Sequence, residues 1–133
     1  MPFYNDLRPQ ADYEKRDYAL VFPAMTDAEK RRAIFNLLRL KSGLATDIPP
    51  KKADENLLVA SWNIKEFGHT TQRLYESYFY IAEVISHFDL VVVQEIKSTL
   101  QGLNLVMRIL GSDWDYLIND ITDGVDGNSE RSA

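Results

Sequence analysis

The chain contains no cysteine among its 133 residues, and only two histidines. The absence of cysteine excludes disulfide bonds, thiolate metal sites and a cysteine nucleophile. It also favours a reducing compartment such as the cytoplasm, where disulfides rarely persist. Unbroken apolar runs such as Leu90–Val93 are far shorter than the roughly 20 residues of a membrane-spanning helix. The polar, charged N-terminus shows no signal peptide. We therefore expect no membrane partner.

The net charge of −5 is unevenly distributed along the chain. Residues 1–55 hold ten Lys and Arg against nine Asp and Glu, whereas residues 56–133 hold five against eleven. An acidic body is a poor non-specific match for the phosphates of nucleic acid. It is compatible with a site that collects divalent cations, because carboxylates are ligands of hard metals. The alternative is that the acidic residues only maintain solubility.

Residues 1–55 predict a helical extension followed by a linker. Thr26 and Glu29 have the spacing of a capping box, in which the two side chains satisfy amides at the start of a helix. Gly43 is the predicted end of that helix. Residues 47–56 contain two adjacent prolines, which favour a linker. The predicted apolar stripe of the helix comprises Ile34, Leu37, Leu38 and the stem of Lys41.

Residues 56–133 alternate between strand and helix patterns. The predicted elements are strand Leu57–Ile64, a helix from Thr70 or Thr71 to about Phe88, strand Leu90–Ile96, a helix capped by Ser98 and ended by Gly111, strand Trp114–Thr122 and turn Asp123–Asn128. Helical crossovers between strands favour parallel or mixed pairing and an α/β fold class. A doubly wound nucleotide-binding fold is the weaker alternative, because no glycine-rich phosphate loop follows the first strand.

Polar residues lie at the ends of the first two predicted strands. Asn63 lies near the end of the first, and Glu95 near the end of the second. If the strands are neighbours, both residues meet at one end of the sheet. A carboxylate there can hold Mg²⁺ or Mn²⁺, and an amide can orient a phosphate or an attacking water. The alternative is that both are ordinary strand-end residues that face solvent.

The segment VASWNIKEFG, followed further along the chain by VVVQEI, resembles the first two motifs of the endonuclease/exonuclease/phosphatase (DNase I-like) superfamily. In that family the asparagine of the first motif lies by the scissile phosphate, and the glutamate of the second is a metal ligand. The resemblance assigns these roles to Asn63 and Glu95. The segment GNSER, Gly127–Arg131, is similar to the GNxER segment of bacterial nuclease-like members. It implies that Glu130 orients a catalytic histidine, and that Arg131 either contacts phosphate or only forms a salt bridge.

The resemblance also implies a fold and a reaction. The fold is a four-layer α/β/β/α sandwich, of which residues 56–133 form the N-terminal part. The reaction is hydrolysis of phosphodiester bonds, assisted by Mg²⁺ or Mn²⁺, in nucleic acid or another phosphodiester substrate. GNSER favours a nuclease over a phosphatase or a lipid hydrolase. The later G-D-x-N and S-D-H motifs of the family are absent from these residues. We therefore expect a truncated domain that is inactive by itself.

Two further expectations concern residues outside the motifs. A partial sandwich exposes one face of its sheet, which predicts self-association and suggests an alternative function as a non-catalytic interaction or phosphate-binding module. The two histidines, His69 and His87, are not assigned to catalysis, because neither belongs to an S-D-H pattern. We predict that His69 is a loop residue and that His87 lies at the C-terminal end of a helix.

Overall fold

The computed structural model describes residues 2–7, 20–52, 55–67, 74–97, 101–118, 122–123 and 129–131, with the backbone alone for 65–67, 95–97, 122–123 and 129–131. The elements in order are a 3-10 turn at Asn5–Leu7, α1 (Asp27–Asp47), β1 (Val59–Phe67), α2 (Tyr75–Ser86), β2 (Leu90–Lys97), α3 (Gln101–Leu110), β3 (Thr122–Asp123) and β4 (Ser129–Arg131). Helices and strands alternate after α1, so the predicted α/β class is confirmed at this coarse level.

The start of α1 is as predicted, but its end is not. Thr26 is the N-cap, and its hydroxyl oxygen accepts from the Glu29 amide at 3.2 Å. The same hydroxyl donates to the Glu29 carboxylate at 3.0 Å. The prediction that Gly43 ends the helix is wrong, since α1 continues to Asp47. The helix ends there because the next residue, Ile48, precedes a proline and is extended, with φ −109° and ψ 131°.

The buried face of α1 also differs from the predicted stripe. Ala33 and Leu37 are buried, whereas Ile34 and Leu38 are exposed. Residues four apart lie above one another on a helix. The buried row is therefore the Ala33–Leu37 row, which carries a small residue where α1 packs against α2.

The sheet has the strand order β1-β2-β4-β3. β1 and β2 are parallel and in register from Val59 opposite Leu90 to Asn63 opposite Gln94. Side chains alternate between the two faces of each strand. Ile64 and Val93 belong to the same buried core as α2 and α3. The opposite side of the sheet, called the open face here, carries the exposed residues Val59, Ser61, Asn63, Leu90, Val92 and Gln94.

One hydrophobic core joins the N-terminal residues to the α/β part. Phe22 is buried and stacks on Tyr75 with ring centroids 4.9 Å apart. It also lies 5.6 Å from the ring of Tyr78 and 5.5 Å from that of Phe79. Aromatic pairs of this kind contribute about 0.5–1.5 kcal/mol each beyond burial of their area. These contacts tie the segment before α1 to α2. The remaining core residues are Met25, Ala33, Leu37, Ile64, Ile81, Ala82, Ile85, Val93, Leu103, Val106, Ile109 and Leu110.

The helices of the α/β part agree with prediction except at one start. α2 begins at Tyr75, with Leu74 as an N-cap that makes no side-chain cap bond. The suggested caps Thr70 and Thr71 lie outside the described residues, as does Ser98. α3 ends at Leu110, directly before Gly111. Gly111 has a φ of 88°, a conformation that glycine adopts readily and other residues rarely adopt. Its amide bonds to the Met107 carbonyl at 2.9 Å, so the predicted stop is confirmed.

The predicted third strand, Trp114–Thr122, is largely wrong. Residues 114–118 have no regular secondary structure, and β3 comprises Thr122–Asp123 alone. β3 pairs only with β4, through Thr122 opposite Glu130 and Asp123 opposite Ser129. A strand extends only as far as its hydrogen-bonded partner. The alternating pattern of this segment was therefore not sufficient to predict a strand. Most of the predicted turn, Asp123–Asn128, lies outside the described residues. Within the described ranges, no helix has the length and apolarity needed to span a bilayer.

Candidate functional site at the ends of β1 and β2

Asn63 and Glu95 lie on neighbouring parallel strands, which was the condition for a joint site. Asn63 is exposed and opposite Gln94, and Glu95 follows Gln94 directly in β2. Adjacent strands are about 4.8 Å apart. The backbones of the two candidate residues are therefore one residue apart in register. Their assigned roles in phosphate and metal binding remain predictions.

The GNSER segment reaches the same end of the sheet. In β4, Arg131 is opposite Ile96 and Glu130 is opposite Lys97. Gly127 and Asn128 lie outside the described residues. Because β4 is the next strand after β2 in the sheet, the backbones of Asn63, Glu95, Glu130 and Arg131 lie on three consecutive strands. The topology thus brings the three motifs together, although they are well separated in sequence.

β1 is irregular beside Glu95. The pairing passes from Asn63 opposite Gln94 to Phe67 opposite Ile96, so three residues of β1 lie opposite one residue of β2. Such bulges change the direction of side chains and occur often next to active sites. The irregularity begins directly after Asn63. Nothing in the strand pattern of the sequence predicted it.

A small polar group surrounds Asn63 on the open face. The Gln94 side-chain amide donates to the Ser61 hydroxyl at 3.3 Å, across the two strands. Ser61 lies two residues before Asn63 and therefore on the same face. Neither Ser61 nor Gln94 was a predicted site residue. The alternation Ser61, Asn63 on one strand was the signal that could have indicated a shared polar surface.

The sequence predicts a site for a hard divalent cation at this end of the sheet. Within the described residues, no group of three or more His, Cys, Asp or Glu side chains is placed to hold a metal. Mg²⁺ commonly takes one or two carboxylates and completes its shell with water and substrate phosphate. A joint cation site of Glu95 and Asn63 remains a prediction, because the structure describes only the backbone of Glu95.

Two buried glutamates on α2 offer a different cluster of charges. Glu83 is 4% exposed and accepts from the Tyr4 hydroxyl at 2.5 Å. Its carboxylate also lies 2.9 Å from His87 Nε2 and 3.7 Å from Lys41 Nζ. Burial, and then the bond to Glu83, raise the pKa of Tyr4 above its ordinary value. The Glu83 carboxylate is thus fully engaged, which indicates a structural role. His87 is the C-cap of α2, as predicted, and His69 lies outside the described residues.

The second buried carboxylate, Glu76, is engaged in the same way. Arg32 Nε lies 2.8 and 2.9 Å from its two oxygens, and the Tyr80 hydroxyl donates to it at 3.1 Å. The bond to Glu76 raises the pKa of Arg32. Arg32 and Lys41 therefore connect α1 to α2. This arrangement favours a structural role for them over contacts with nucleic-acid phosphates.

Comparison of the chain with protein-family models, with curated proteins and with solved structures finds no significant match. The functional assignment therefore depends on the residues at the ends of β1 and β2 and on their motifs.

Proposed function

We propose that this chain carries the first part of a divalent-metal phosphodiesterase site, in a protein that acts on nucleic acid. One observation supports the proposal above the others. Asn63 is opposite Gln94 in a parallel pair, so Asn63 and Glu95 lie at the same end of the sheet. A joint site requires β1 and β2 to be neighbours, and they are. Each of these strands also contains a motif that resembles one of the phosphodiesterase motifs.

The proposed chemistry assigns one task to each residue. The Glu95 carboxylate would hold Mg²⁺ or Mn²⁺, and the cation would supply Lewis-acid and charge stabilisation at the phosphate. The Asn63 side chain orients the phosphate without adding charge. Glu130 orients a histidine through a hydrogen bond, and Arg131 contacts phosphate. A nuclease is preferred over a phosphatase or lipid hydrolase because GNSER resembles a nuclease motif.

The 133 residues contain neither a G-D-x-N nor an S-D-H motif. In the proposed mechanism these motifs supply the groups that activate water and stabilise the transition state. Loss of general acid–base groups typically lowers rates by about 10² to 10⁴-fold for each group. We therefore expect the chain to bind the cation without useful turnover.

The proposal is tested by titrating the chain with Mn²⁺ and measuring free Mn²⁺ by electron paramagnetic resonance. We expect Glu95→Gln to weaken Mn²⁺ binding about tenfold or more, because it removes the charged ligand. Glu55→Gln is the matched control, since Glu55 is exposed and pairs only with Lys52 among the contacts described for it. Equal affinities for the wild type and Glu95→Gln would exclude the site.

Activity is measured with bis(p-nitrophenyl) phosphate in the presence of Mn²⁺. We expect no hydrolysis above the rate with Mn²⁺ alone. Hydrolysis that is abolished by Glu95→Ala would show that the chain is itself an enzyme, contrary to the expected inactivity.

The second candidate is a non-catalytic interaction module. The exposed apolar residues Val59, Leu90 and Val92 on the open face favour it. A stable complex that persists in Glu95→Ala would support this function. If Glu95→Ala abolishes both the complex and Mn²⁺ binding, the phosphodiesterase function is favoured.

A further inference from the structure

Helix α1 carries a second apolar surface, away from the row of residues that it buries in the core. Phe35 and Leu38 are 62% and 64% exposed, and Ile34 is also exposed. Residues three and four apart are neighbours on a helix, so these three side chains form one patch, called the outer patch here. Exposed apolar side chains that adjoin one another indicate an interaction surface, whereas scattered ones do not.

Two exposed arginines, Arg31 and Arg39, flank the outer patch. They lie four residues before and four residues after Phe35, in one row along the helix. The Arg39 guanidinium lies 5.8 Å from the centre of the Phe35 ring. The sequence contains no Asp or Glu between Glu29 and Asp47. The charge beside the outer patch is therefore positive.

The inner side of α1 shows how this chain itself binds a surface of the same kind. The buried apolar row of α1 packs against α2. A cation beside that row, Arg32, lies 2.8 Å from the buried carboxylate of Glu76 on α2. Further along α1, Lys41 Nζ lies 3.7 Å from the buried carboxylate of Glu83. One helix is thus already held on α1 by an apolar centre with cations that face carboxylates at its border.

The arginines disfavour a second copy of the chain on the outer patch. In an antiparallel pairing of two α1 helices centred on Phe35, Arg31 of one chain would lie opposite Arg39 of the other. In a parallel pairing, each arginine would lie opposite its own copy. Like charges placed opposite each other repel. Nucleic acid would satisfy the arginines but would leave the aliphatic side chains of Ile34 and Leu38 without an apolar contact.

We propose that the outer patch binds an amphipathic helix of another protein, whose apolar face is flanked by Asp or Glu. Arg31 and Arg39 are eight residues apart, so they are separated by about 12 Å along the helix axis. Carboxylates seven residues apart, as Glu76 and Glu83 are on α2, span a similar distance. Apolar contacts supply affinity, and the charges determine orientation and specificity. The inference depends on α1 and is independent of the proposed phosphodiesterase function.

The test uses a fluorescently labelled designed peptide of about 18 residues, which is long enough to form a helix when bound. Leucines spaced alternately three and four residues apart form its apolar face, and glutamates flank them. The matched probe is the same peptide with lysine in place of each flanking glutamate. Binding to the chain is measured by fluorescence anisotropy at about 0.1 M salt, where charges more than about 10 Å apart are largely screened.

We expect the glutamate peptide to bind about tenfold or more tightly than the lysine peptide, because only its flanks match the arginines. The net charge of −5 favours the opposite order, so overall charge cannot produce this result. Equal affinities for the two peptides would overturn the proposal, and so would tighter binding of the lysine peptide or no binding of either. This comparison uses the unmodified chain and does not depend on how any variant folds.

A charge reversal then locates the binding surface. We expect Arg31→Glu combined with Arg39→Glu to weaken binding of the glutamate peptide about tenfold or more. The matched control combines Lys51→Glu with Lys52→Glu, which changes the net charge equally at exposed residues outside α1. The control should bind like the wild type, and equal weakening by both pairs would overturn the proposal. Displacement of the glutamate peptide by polyuridine RNA would assign the outer patch to nucleic acid and would also overturn it.

Discussion

At the scale of single residues, the most constrained group is the buried carboxylate of Glu83. It lies between the Tyr4 hydroxyl, the Lys41 ammonium and the His87 ring, which come from three different parts of the chain. Breaking a buried pair by removing one partner is costly, because it leaves a charge without compensation. These contacts explain why the N-terminal residues dock on α2 although their sequence shows no clear periodicity.

The Tyr4 contact predicts a stability loss at alkaline pH. Burial and the bond to Glu83 raise the pKa of Tyr4 in the folded state above its value of 10.0 in the unfolded chain. The stability that neutral Tyr4 contributes is complete below pH 10 and is lost as the pH rises above it. One such group can account for up to about 1.4 kcal/mol per pH unit. Solvent screening reduces this pH dependence to about 0.5–1 kcal/mol per pH unit, since Tyr4 is only half-buried.

The measurement is urea unfolding of wild type and Tyr4→Phe between pH 8 and pH 11. At pH 8 the variant should be less stable by about 1 kcal/mol, because it lacks the hydrogen bond. Above pH 10 the difference should shrink, because phenylalanine cannot ionise. Tyr80, whose pKa is also raised by burial, is present in both proteins and cancels. Parallel stability curves up to pH 11 would contradict this account.

At the scale of elements, two glycines have opposite roles in helices. Gly43 lies inside α1, and a Cβ added there would meet nothing within 4 Å. Gly111 ends α3 with φ +88°, and a Cβ there would meet the ring of Phe3. The sequence predicted both as helix stops. Gly111 differs from Gly43 in its positive φ and in the packing of Phe3 against it.

The two glycines supply a matched pair of substitutions. Gly43→Ala should stabilise the protein by about 0.5–1 kcal/mol, because alanine loses less backbone freedom in a helix. Gly111→Ala should destabilise it by about 1–3 kcal/mol through backbone strain and the contact with Phe3. Thermal unfolding of both variants checks these signs. In a Phe3→Ala background, Gly111→Ala should cost less. An unchanged cost there would assign the effect to backbone strain alone.

At the scale of the whole molecule, the helices that the structure describes cover one side of the sheet. α2 and α3 pack on the side of Ile64 and Val93, whereas Val59 and Leu90 on the open face are each about half exposed (53% and 52%). Contiguous apolar surface of this kind usually marks an interaction site. The expectation of self-association through the sheet therefore has a defined surface, although the partner itself is not shown.

Sedimentation velocity at several protein concentrations tests the open face as an interface. We expect concentration-dependent association of the wild type that Val59→Lys weakens about tenfold, because a lysine in the interface must be desolvated. Leu38→Lys is the control, since Leu38 is similarly exposed but lies on α1. Association weakened equally by both substitutions would point to another surface.

Much of the candidate site was predictable, because it depends on strand ends. The βαβ pattern of residues 57–96 implies parallel strands, whose carboxyl ends meet at one edge of the sheet. The sequence pattern was therefore sufficient to predict that the backbones of Asn63 and Glu95 lie at the same end of the sheet. The irregular pairing of β1 opposite Glu95 and the contact between Gln94 and Ser61 could not be predicted. Both depend on register and side-chain geometry, which a one-dimensional pattern does not contain.

The sequence by itself determined the α/β class, the cap at Thr26, the stop at Gly111 and the strand–helix–strand order of residues 57–97. These features depend on local propensity and on side-chain periodicity. Only the tertiary structure decided which face of α1 is buried and how Tyr4 and Lys41 contact Glu83. It also decided that residues 114–118 form no strand. Each of these requires a partner distant in sequence, and a helix face or a strand edge acquires its role only when that partner is in place.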